Sequence, residues 1–133
     1  MRYSIVFYSN ISPFQNRSIP IGVVIQSEAE LKYKFDLSES RFKKIKSINP
    51  AADPDTFLNF EKTFKESFID VEKIEISDEQ GNKIEINSKH PKFLDYLNET
   101  FLSGYTYTKP TPIESDDMNQ SLDLILNQTI QNT

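Results

Sequence analysis

The sequence lacks the residues on which several common chemistries depend: it has no cysteine, one histidine and three glycines among 133 residues. Without cysteine there is no disulfide framework, thiolate zinc site, iron–sulfur cluster or cysteine nucleophile. A phosphate-cradling loop needs glycine, and no nucleotide-binding loop, nucleophile elbow or zinc-protease motif is present. The sequence therefore predicts no catalytic residue, no metal site and no cofactor.

Long apolar runs are also missing. No segment approaches the ~18 consecutive apolar residues of a membrane-spanning helix. The apolar stretch near the N-terminus is too short and too interrupted by Tyr and Ser for a signal peptide. We expect no membrane association, and the absence of cysteine fits a reducing, cytoplasmic compartment.

The sequence does contain many large aromatic side chains. Ten Phe and six Tyr accompany an apolar fraction of 37%, and each ring buries a large area in a core. A chain of this length fits one ordinary domain with its own hydrophobic core.

Three strands are predicted in the first third of the chain, from segments rich in β-branched and aromatic residues: residues 3–8, 19–25 and 31–37. A loop is predicted over residues 9–18. The second strand is nearly all apolar and is predicted to lie at the centre of a sheet. Pro20 is expected at its start, and Gly22 at a bulge or a close backbone approach.

Caps and prolines mark the first helices. Ser38 is a predicted N-cap, and Asn49-Pro50 ends the helix that follows. Asp53-Pro54 opens a second helix. Its apolar stripe consists of four phenylalanines at spacings of three, four and four residues: Phe57, Phe60, Phe64 and Phe68.

Two further helices are predicted in the second half. One spans residues 91–102, with Phe101 on its apolar face, and the other spans residues 115–131, capped by Ser115 or Asp116.

The order of elements predicts an α+β fold. The repeats KIEIS at 73–77 and KIEIN at 83–87 flank a Gly-containing turn and indicate a β-hairpin with its isoleucines toward the core. A β-β-β-α-α-β-β-α order favours a sheet of about five mostly antiparallel strands, covered by helices on one face, plus a C-terminal helix after a linker. The expected units are an α+β domain, a proline-containing linker and a terminal helix with its tail: residues 1–104, 105–114 and 115–133.

Charge is distributed unevenly along the chain. Residues 1–50 carry eight basic and four acidic side chains, a net charge of +4, whereas the remainder carries seven basic and 16 acidic ones, a net charge of −9. The total of −5 disfavours general binding to nucleic acid or an anionic membrane, because both need a cationic footprint.

A basic strand–helix segment over residues 32–46 has a local charge of +4. We call its six cations the basic segment: Lys32, Lys34, Arg41, Lys43, Lys44 and Lys46. It is interpreted either as a patch for an acidic partner or as a solvated strand and helix face. Alternation directs Tyr33 to the core, where it cannot stack on a nucleic-acid base.

The terminal helix is the second candidate surface. Its apolar stripe includes Met118, Leu122, Ile125 and Leu126. Because the helix follows a predicted linker, it either docks on its own domain or binds a partner, including a second copy that would form a homodimer through residues 115–131.

Other polar residues have structural interpretations. His90 precedes a predicted helix and is interpreted as a loop or capping residue. Carboxylate pairs at two helix starts favour capping over metal binding: Asp53 with Asp55, and Asp116 with Asp117. An enzyme would need carboxylates, tyrosines, Arg17 and His90 to converge in one pocket, and no local motif predicts that.

The first third carries a family-like pattern of an opening strand, a polar loop, an apolar strand with Gly-Val-Val and a basic helix. The matching segments are YSIV (3–6), SP (12–13), NR (16–17), IGVVI (21–25) and INP (48–50). The pattern resembles an uncharacterised bacterial family called domain of unknown function 3037. This resemblance implies no established activity, but the frequent occurrence of members beside HipA-like kinases implies an accessory or toxin–antitoxin role.

These observations predict a non-enzymatic interaction or accessory protein that binds a protein partner through the basic segment and the terminal helix. The alternatives are a nucleic-acid-binding accessory factor, a phage-type inhibitor of a host system, or an accessory protein beside a HipA-like kinase.

Overall fold

The computed structural model describes residues 1–11, 16–28, 30–101 and 104–131. The strands in these ranges are β1 (Arg2–Ile11), β2 (Asn16–Gln26), β3 (Leu31–Phe35), β4 (Ile74–Ser77), β5 (Lys83–Ile86), β6 (Tyr105–Tyr107) and β7 (Thr111–Pro112). The helices are α1 (Glu39–Ile48), α2 (Pro54–Leu58), α3 (Phe60–Phe64) with a π-helical turn after it (Lys65–Ile69), α4 (Phe93–Asn98) and α5 (Met118–Gln131). The predicted α+β class is confirmed.

The main sheet has five antiparallel strands in the order β3-β2-β1-β6, with β7 pairing with the start of β1. β2 lies between β1 and β3, and its residues 20–26 are buried. The central position predicted for this strand is confirmed, because a strand covered on both faces can be apolar throughout. Of the loop predicted over residues 9–18, residues 9–11 belong to β1 and residues 16–18 to β2, and residues 12–15 lie outside the described ranges.

Two strands of the main sheet come from the segment predicted as a linker. Residues 105–114 contain β6 and β7, which both pair with β1. Tyr105 and Tyr107 place their rings in the core, while Thr106 between them faces the other way. Three alternating residues beside two prolines are too short a signal to recognise in the sequence.

The predicted β4–β5 hairpin is present but forms a two-stranded sheet of its own rather than part of the main sheet. Its outer face carries two cross-strand ion pairs, Lys73–Glu85 at 3.6 Å and Lys83–Glu75 at 3.3 Å. On its inner face only Ile86 is fully buried. A short hairpin with one half-covered apolar face packs against the core without joining the larger ladder.

Both faces of the main sheet are covered. On one face the helices enclose an aromatic core that includes the four-Phe stripe, Tyr105 and Tyr107. On the opposite face α5 packs across β2 and β3 and forms what we call the second core: Val23, Ile25, Leu122, Ile125 and Leu126.

The four-Phe stripe is buried as predicted, although the helix that carries it is interrupted. Asp53 caps α2 by accepting from the Asp55 N–H at 3.1 Å, and Pro54 is the first helical residue, as predicted. The helix is interrupted at Asn59, between α2 and α3. After α3 it ends in a π-helical turn, in which the Asp70 N–H donates to the Lys65 carbonyl at 2.8 Å.

α4 and α5 are shorter than predicted. α4 ends at Asn98, whose Nδ2 donates to the Tyr107 carbonyl at 2.9 Å and ties the helix end to β6. Phe101 therefore lies beyond the helix and is 58% exposed. α5 begins at Met118, and the N–H of Gln120 donates to Asp117 Oδ1 at 3.0 Å, so the cap is Asp117 rather than Ser115 or Asp116.

Gly22 lies at both features predicted for it. The β1–β2 register shifts between Val6, opposite Gly22, and Phe7, opposite Pro20, which makes Ile21 the extra residue of a β-bulge. Pro20 lies inside β2 rather than at its start. It lies beside the bulge, where a residue without an N–H is tolerated, and its carbonyl accepts from Arg41 Nη1 at 3.4 Å.

None of the helices in the ranges given above is long and apolar enough to cross a membrane.

Gly22→Ala is expected to lower the free energy of unfolding by about 3 kcal/mol, at the upper end of the usual cost of overpacking. The added Cβ would overlap with Phe35 Cδ1 and would lie 2.7 Å from the Lys34 carbonyl oxygen. The ring can move, but the backbone oxygen cannot without disturbing the β2–β3 ladder. Urea denaturation monitored by circular dichroism measures the change, and an unchanged midpoint would contradict the close approach.

Ser4→Ala is expected to leave stability unchanged or to raise it by up to about 1 kcal/mol, because an unpaired buried hydroxyl is costly. Ser4 lies on β1 opposite Val24, and its Oγ is buried without a hydrogen-bond partner in the described part of the chain. The same denaturation measures this variant. A clear loss of stability would show that the hydroxyl has a partner.

Candidate functional site

Two lysines of the basic segment hold the C-terminal helix. Lys32 Nζ donates to Asn119 Oδ1 at 2.8 Å, and Lys34 Nζ donates to Asp123 Oδ1 at 2.8 Å. Lys32 Nζ also lies 3.8 Å from Glu30 Oε2. Both lysines project from the sheet face that α5 covers. The alternation of β3 therefore directs them to a polar flank of this helix.

Arg41 is a third cation used inside the fold, and it is only 3% exposed. Its Nη1 donates to the Pro20 carbonyl and its Nη2 to the Ile130 carbonyl at 3.3 Å, while Nε lies 3.9 Å from Asp36 Oδ2. A cation at the last turn of α5 complements the partial negative charge of a helix C-terminus. Arg41 thus joins α1, β2 and α5.

The apolar stripe of α5 is covered by the chain's own sheet. Leu122, Ile125 and Leu126 are buried in the second core, and Met118 is half-buried against it. The outward face of the helix includes Leu124, which is 54% exposed. The four residues predicted as a partner surface are thus occupied within this chain.

The remaining cations of the basic segment lie on α1. Lys43 and Lys46 are exposed and three residues apart on its outward face, and Lys44 is half-buried. Lys46 Nζ lies 6.0 Å from the centroid of the Phe42 ring, at the limit of a cation–π contact. Within the described ranges neither Lys43 nor Lys46 forms an ion pair.

Arg17 joins these two lysines at one end of the molecule. It is exposed, lies opposite Asn10 in the β1–β2 register, and forms no ion pair with any described residue. Asn10 Nδ2 donates to the Ile48 carbonyl at 2.6 Å, in the last turn of α1. We call Arg17, Lys43 and Lys46 the cationic end. Arg17 lies outside the 32–46 run, so a search for clustered charge in the sequence cannot include it.

His90 lies at the opposite end of β2. Its carbonyl accepts from Gln26 Nε2 at 2.8 Å, and its Nδ1 accepts from the Lys92 N–H at 3.1 Å. Of the two predicted roles, His90 has that of a loop residue, because the N-cap of α4 is Lys92. Gln26 and Arg17 are nine residues apart on β2, which corresponds to about 30 Å at ~3.3 Å per residue. Arg17 and His90 therefore do not converge.

The acidic residues near turns and helix starts serve as hydrogen-bond acceptors for the backbone. Asp53 and Asp117 cap helices, and Asp78 Oδ1 accepts from the N–H groups of Gln80 at 2.9 Å and Asn82 at 2.8 Å in the β4–β5 turn. In the parts of the chain that the structure describes, no group of three or more acidic or histidine side chains is arranged to hold a metal ion.

A cleft of about 560 Å³ lies between the β4–β5 hairpin and α4. Its lining includes Asp95, Glu99, Lys92 and Tyr96. Asp95 Oδ2 accepts from Arg2 Nη1 at 3.2 Å, so one carboxylate of the cleft already forms an ion pair. The cleft lining has no histidine and supplies no pair of nucleophile and base.

The tyrosines of the core are not adapted for acid–base chemistry. Burial raises the pKa of Tyr105 and of Tyr107. Partial burial, with smaller contributions from Glu61 and Asp70, also raises the pKa of Tyr33. All three hydroxyls stay protonated near neutral pH, whereas a catalytic tyrosine needs a pKa closer to the working pH.

Comparison with known proteins finds no matching family model, no matching curated protein and no matching solved structure. The resemblance of the first third to domain of unknown function 3037 stays a prediction.

Arg41→Gln is expected to lower the free energy of unfolding by about 2–3 kcal/mol, somewhat less than the ~3–5 kcal/mol for breaking a fully buried pair. The smaller figure reflects Asp36, whose side chain is 28% exposed. Because Arg41 holds the end of α5, limited proteolysis should also cleave this helix sooner.

The matched control is Lys43→Gln, an exposed position on the same helix, which should change stability by less than about 0.5 kcal/mol. Equal effects of the two substitutions in urea denaturation would show that Arg41 does not support α5.

Proposed function

We propose that this protein is a non-enzymatic accessory protein that binds an acidic surface of a protein partner through the cationic end. The supporting observation is that Arg17, Lys43 and Lys46 are exposed, lie at one end of the molecule and form no ion pair within the described ranges, although the net charge is −5.

Some exposed cations elsewhere in the protein have carboxylate partners, whereas Lys62, Lys65 and Lys109 are exposed without an ion pair in the described ranges; the cationic end differs from these in that its three cations lie at one end of the molecule. Lys34 pairs with Asp123, and the β4–β5 hairpin carries two lysine–glutamate pairs. Exposed pairs contribute only about 0–1 kcal/mol to stability, so leaving three cations without partners costs the fold little. Such cations attract an acidic surface during diffusional encounter and orient it on contact.

The chemistry of the cationic end favours a protein over a nucleic acid. Three cations can neutralise three phosphates, which gives a logarithmic salt slope of about −2.7 at most. The nearby aromatic ring, Phe42, packs against Phe57 with ring centroids 5.3 Å apart and is not available to stack on a base. The remaining surface is acidic and repels a polyanion.

The partner-binding surface proposed here contains fewer residues than the surface predicted from the sequence. It retains Lys43 and Lys46 and adds Arg17. It leaves out Lys44, which is half-buried, and the three cations that hold α5: Lys32, Lys34 and Arg41. An accessory role of this kind agrees with the role implied by the family resemblance.

Reversing the charge of the cationic end should abolish partner binding. The triple variant Arg17→Glu, Lys43→Glu, Lys46→Glu is expected to lose a host protein that the wild-type chain captures from a nuclease-treated extract. Raising the salt concentration should weaken wild-type capture, because added salt shortens the range of charge attraction. The association rate of the purified partner should fall at least tenfold in the variant.

A matched control reverses three exposed lysines elsewhere: Lys62, Lys65 and Lys109. It changes the net charge equally and should retain the partner. Equal loss in both triple variants, or a ligand that disappears on nuclease treatment, would count against a protein-binding cationic end.

A further inference from the structure

β3 is an edge strand, and the hydrogen bonds at its two ends show which of its residues face β2 and which face outward. The Ser27 N–H donates to the Glu30 carbonyl at 2.9 Å, and the Asp36 N–H donates to the Ile21 carbonyl at 2.6 Å. In an antiparallel pair alternate residues face the neighbouring strand. Lys32 and Lys34 therefore direct their backbone groups to β2, and the residues between and beside them direct theirs outward: Leu31, Tyr33 and Phe35.

The outward edge of β3 is open. Three N–H and three C=O groups point away from β2, and within the described ranges none of them has a hydrogen-bond partner. The other edge of the sheet is partly covered, because Asn98 Nδ2 donates to the Tyr107 carbonyl of β6. An uncovered edge is a template for pairing with another strand.

The usual protection of such an edge is weakened in this fold. Lysines on an edge strand commonly prevent pairing by projecting into solvent. Lys32 and Lys34 are held by Asn119 and Asp123 of α5, each at 2.8 Å. Their charges are thereby drawn toward the helix and away from the edge.

We propose that β3 pairs antiparallel with β3 of a second copy of this chain, in the register that places Tyr33 on the two-fold axis. In this register Leu31 lies opposite Phe35 of the second copy, and every outward N–H and C=O group on both strands gains a partner. Tyr33 faces its own counterpart, so that aromatic and aliphatic side chains meet across the seam on the aromatic-core face. The two main sheets become one continuous sheet.

The opposite face of this seam is balanced in charge. It brings together Lys32 and Lys34 of both copies with Glu30 and Asp123 of both copies, four cations with four carboxylates. α5 lies over β2 and β3, so a strand spacing of about 4.8 Å puts the two α5 helices about 10 Å apart. That separation matches the ~8–10 Å between packed helices. Self-pairing is thus compatible with the layers on both sides of the sheet.

This dimer is independent of the proposed partner binding. The cationic end lies at the end of β2 and α1 that β3 does not reach, so both surfaces can be used at once.

The absence of cysteine allows the register to be tested by disulfide trapping in the full-length chain. In the proposed register residue 32 faces residue 34 of the second copy at a Cα separation of about 4.5 Å, within the range that a disulfide spans. Residue 32 lies about 8 Å from residue 32 of the second copy, outside that range. A tagged Lys32→Cys chain mixed with an untagged Lys34→Cys chain should therefore form mixed cross-linked dimers at least fivefold in excess over same-variant dimers.

Two further measurements complete the test. A mixture of Lys62→Cys and Lys65→Cys chains, with cysteines at exposed positions away from β3, should give only background cross-linking. Sedimentation equilibrium of the wild-type chain should show a dimer that dissociates on dilution. A wild-type chain that is monomeric up to its solubility limit would overturn the proposal, and so would a dimer whose mixed cysteine variants cross-link no better than either variant alone.

Discussion

A strand without a polar side has to be covered on both faces, and β2 is such a strand. The helices that follow β3 cover one face with aromatic rings, but no residue between 39 and 98 belongs to the second core, which contains Val23 and Ile25 on the other face. α5 fills this position. Both faces of β2 therefore have to be buried, and this requirement determines where the terminal helix packs. It also explains why three cations hold that helix and which cations are left at the surface.

The elements with strong local signals could be predicted from the sequence. The Ser38 and Asp53 caps, the four-Phe stripe and the alternation of β3 depend on residues within a few positions of one another, and the structure contains all of them. The bulge at Gly22 belongs to the same group, because a glycine within an apolar strand indicates one. The strands β6 and β7 escaped prediction, since they are defined by pairing with β1, about 100 residues earlier in the chain.

The candidate site shows the same division between local and distant effects. A run of positive charge is visible in the sequence, but whether each cation is a surface group or a structural one depends on α5, which lies far along the chain. Lys34 and Lys43 look alike in the sequence; one forms an ion pair with Asp123 and the other is exposed without a pair in the described ranges. Arg17 reaches the same surface only because Asn10 fixes the end of the β1–β2 hairpin against α1.

The position of α5 also has a consequence for synthesis on the ribosome. β2 leaves the exit tunnel long before the helix that covers its second face, with about 90 residues between them, or roughly 5–20 s at ~5–20 residues per second. During that interval Val23 and Ile25 face solvent in a nascent chain whose first strands can already pair. The chain is therefore most exposed to misassociation while it is being made, until α5 docks and covers these two residues.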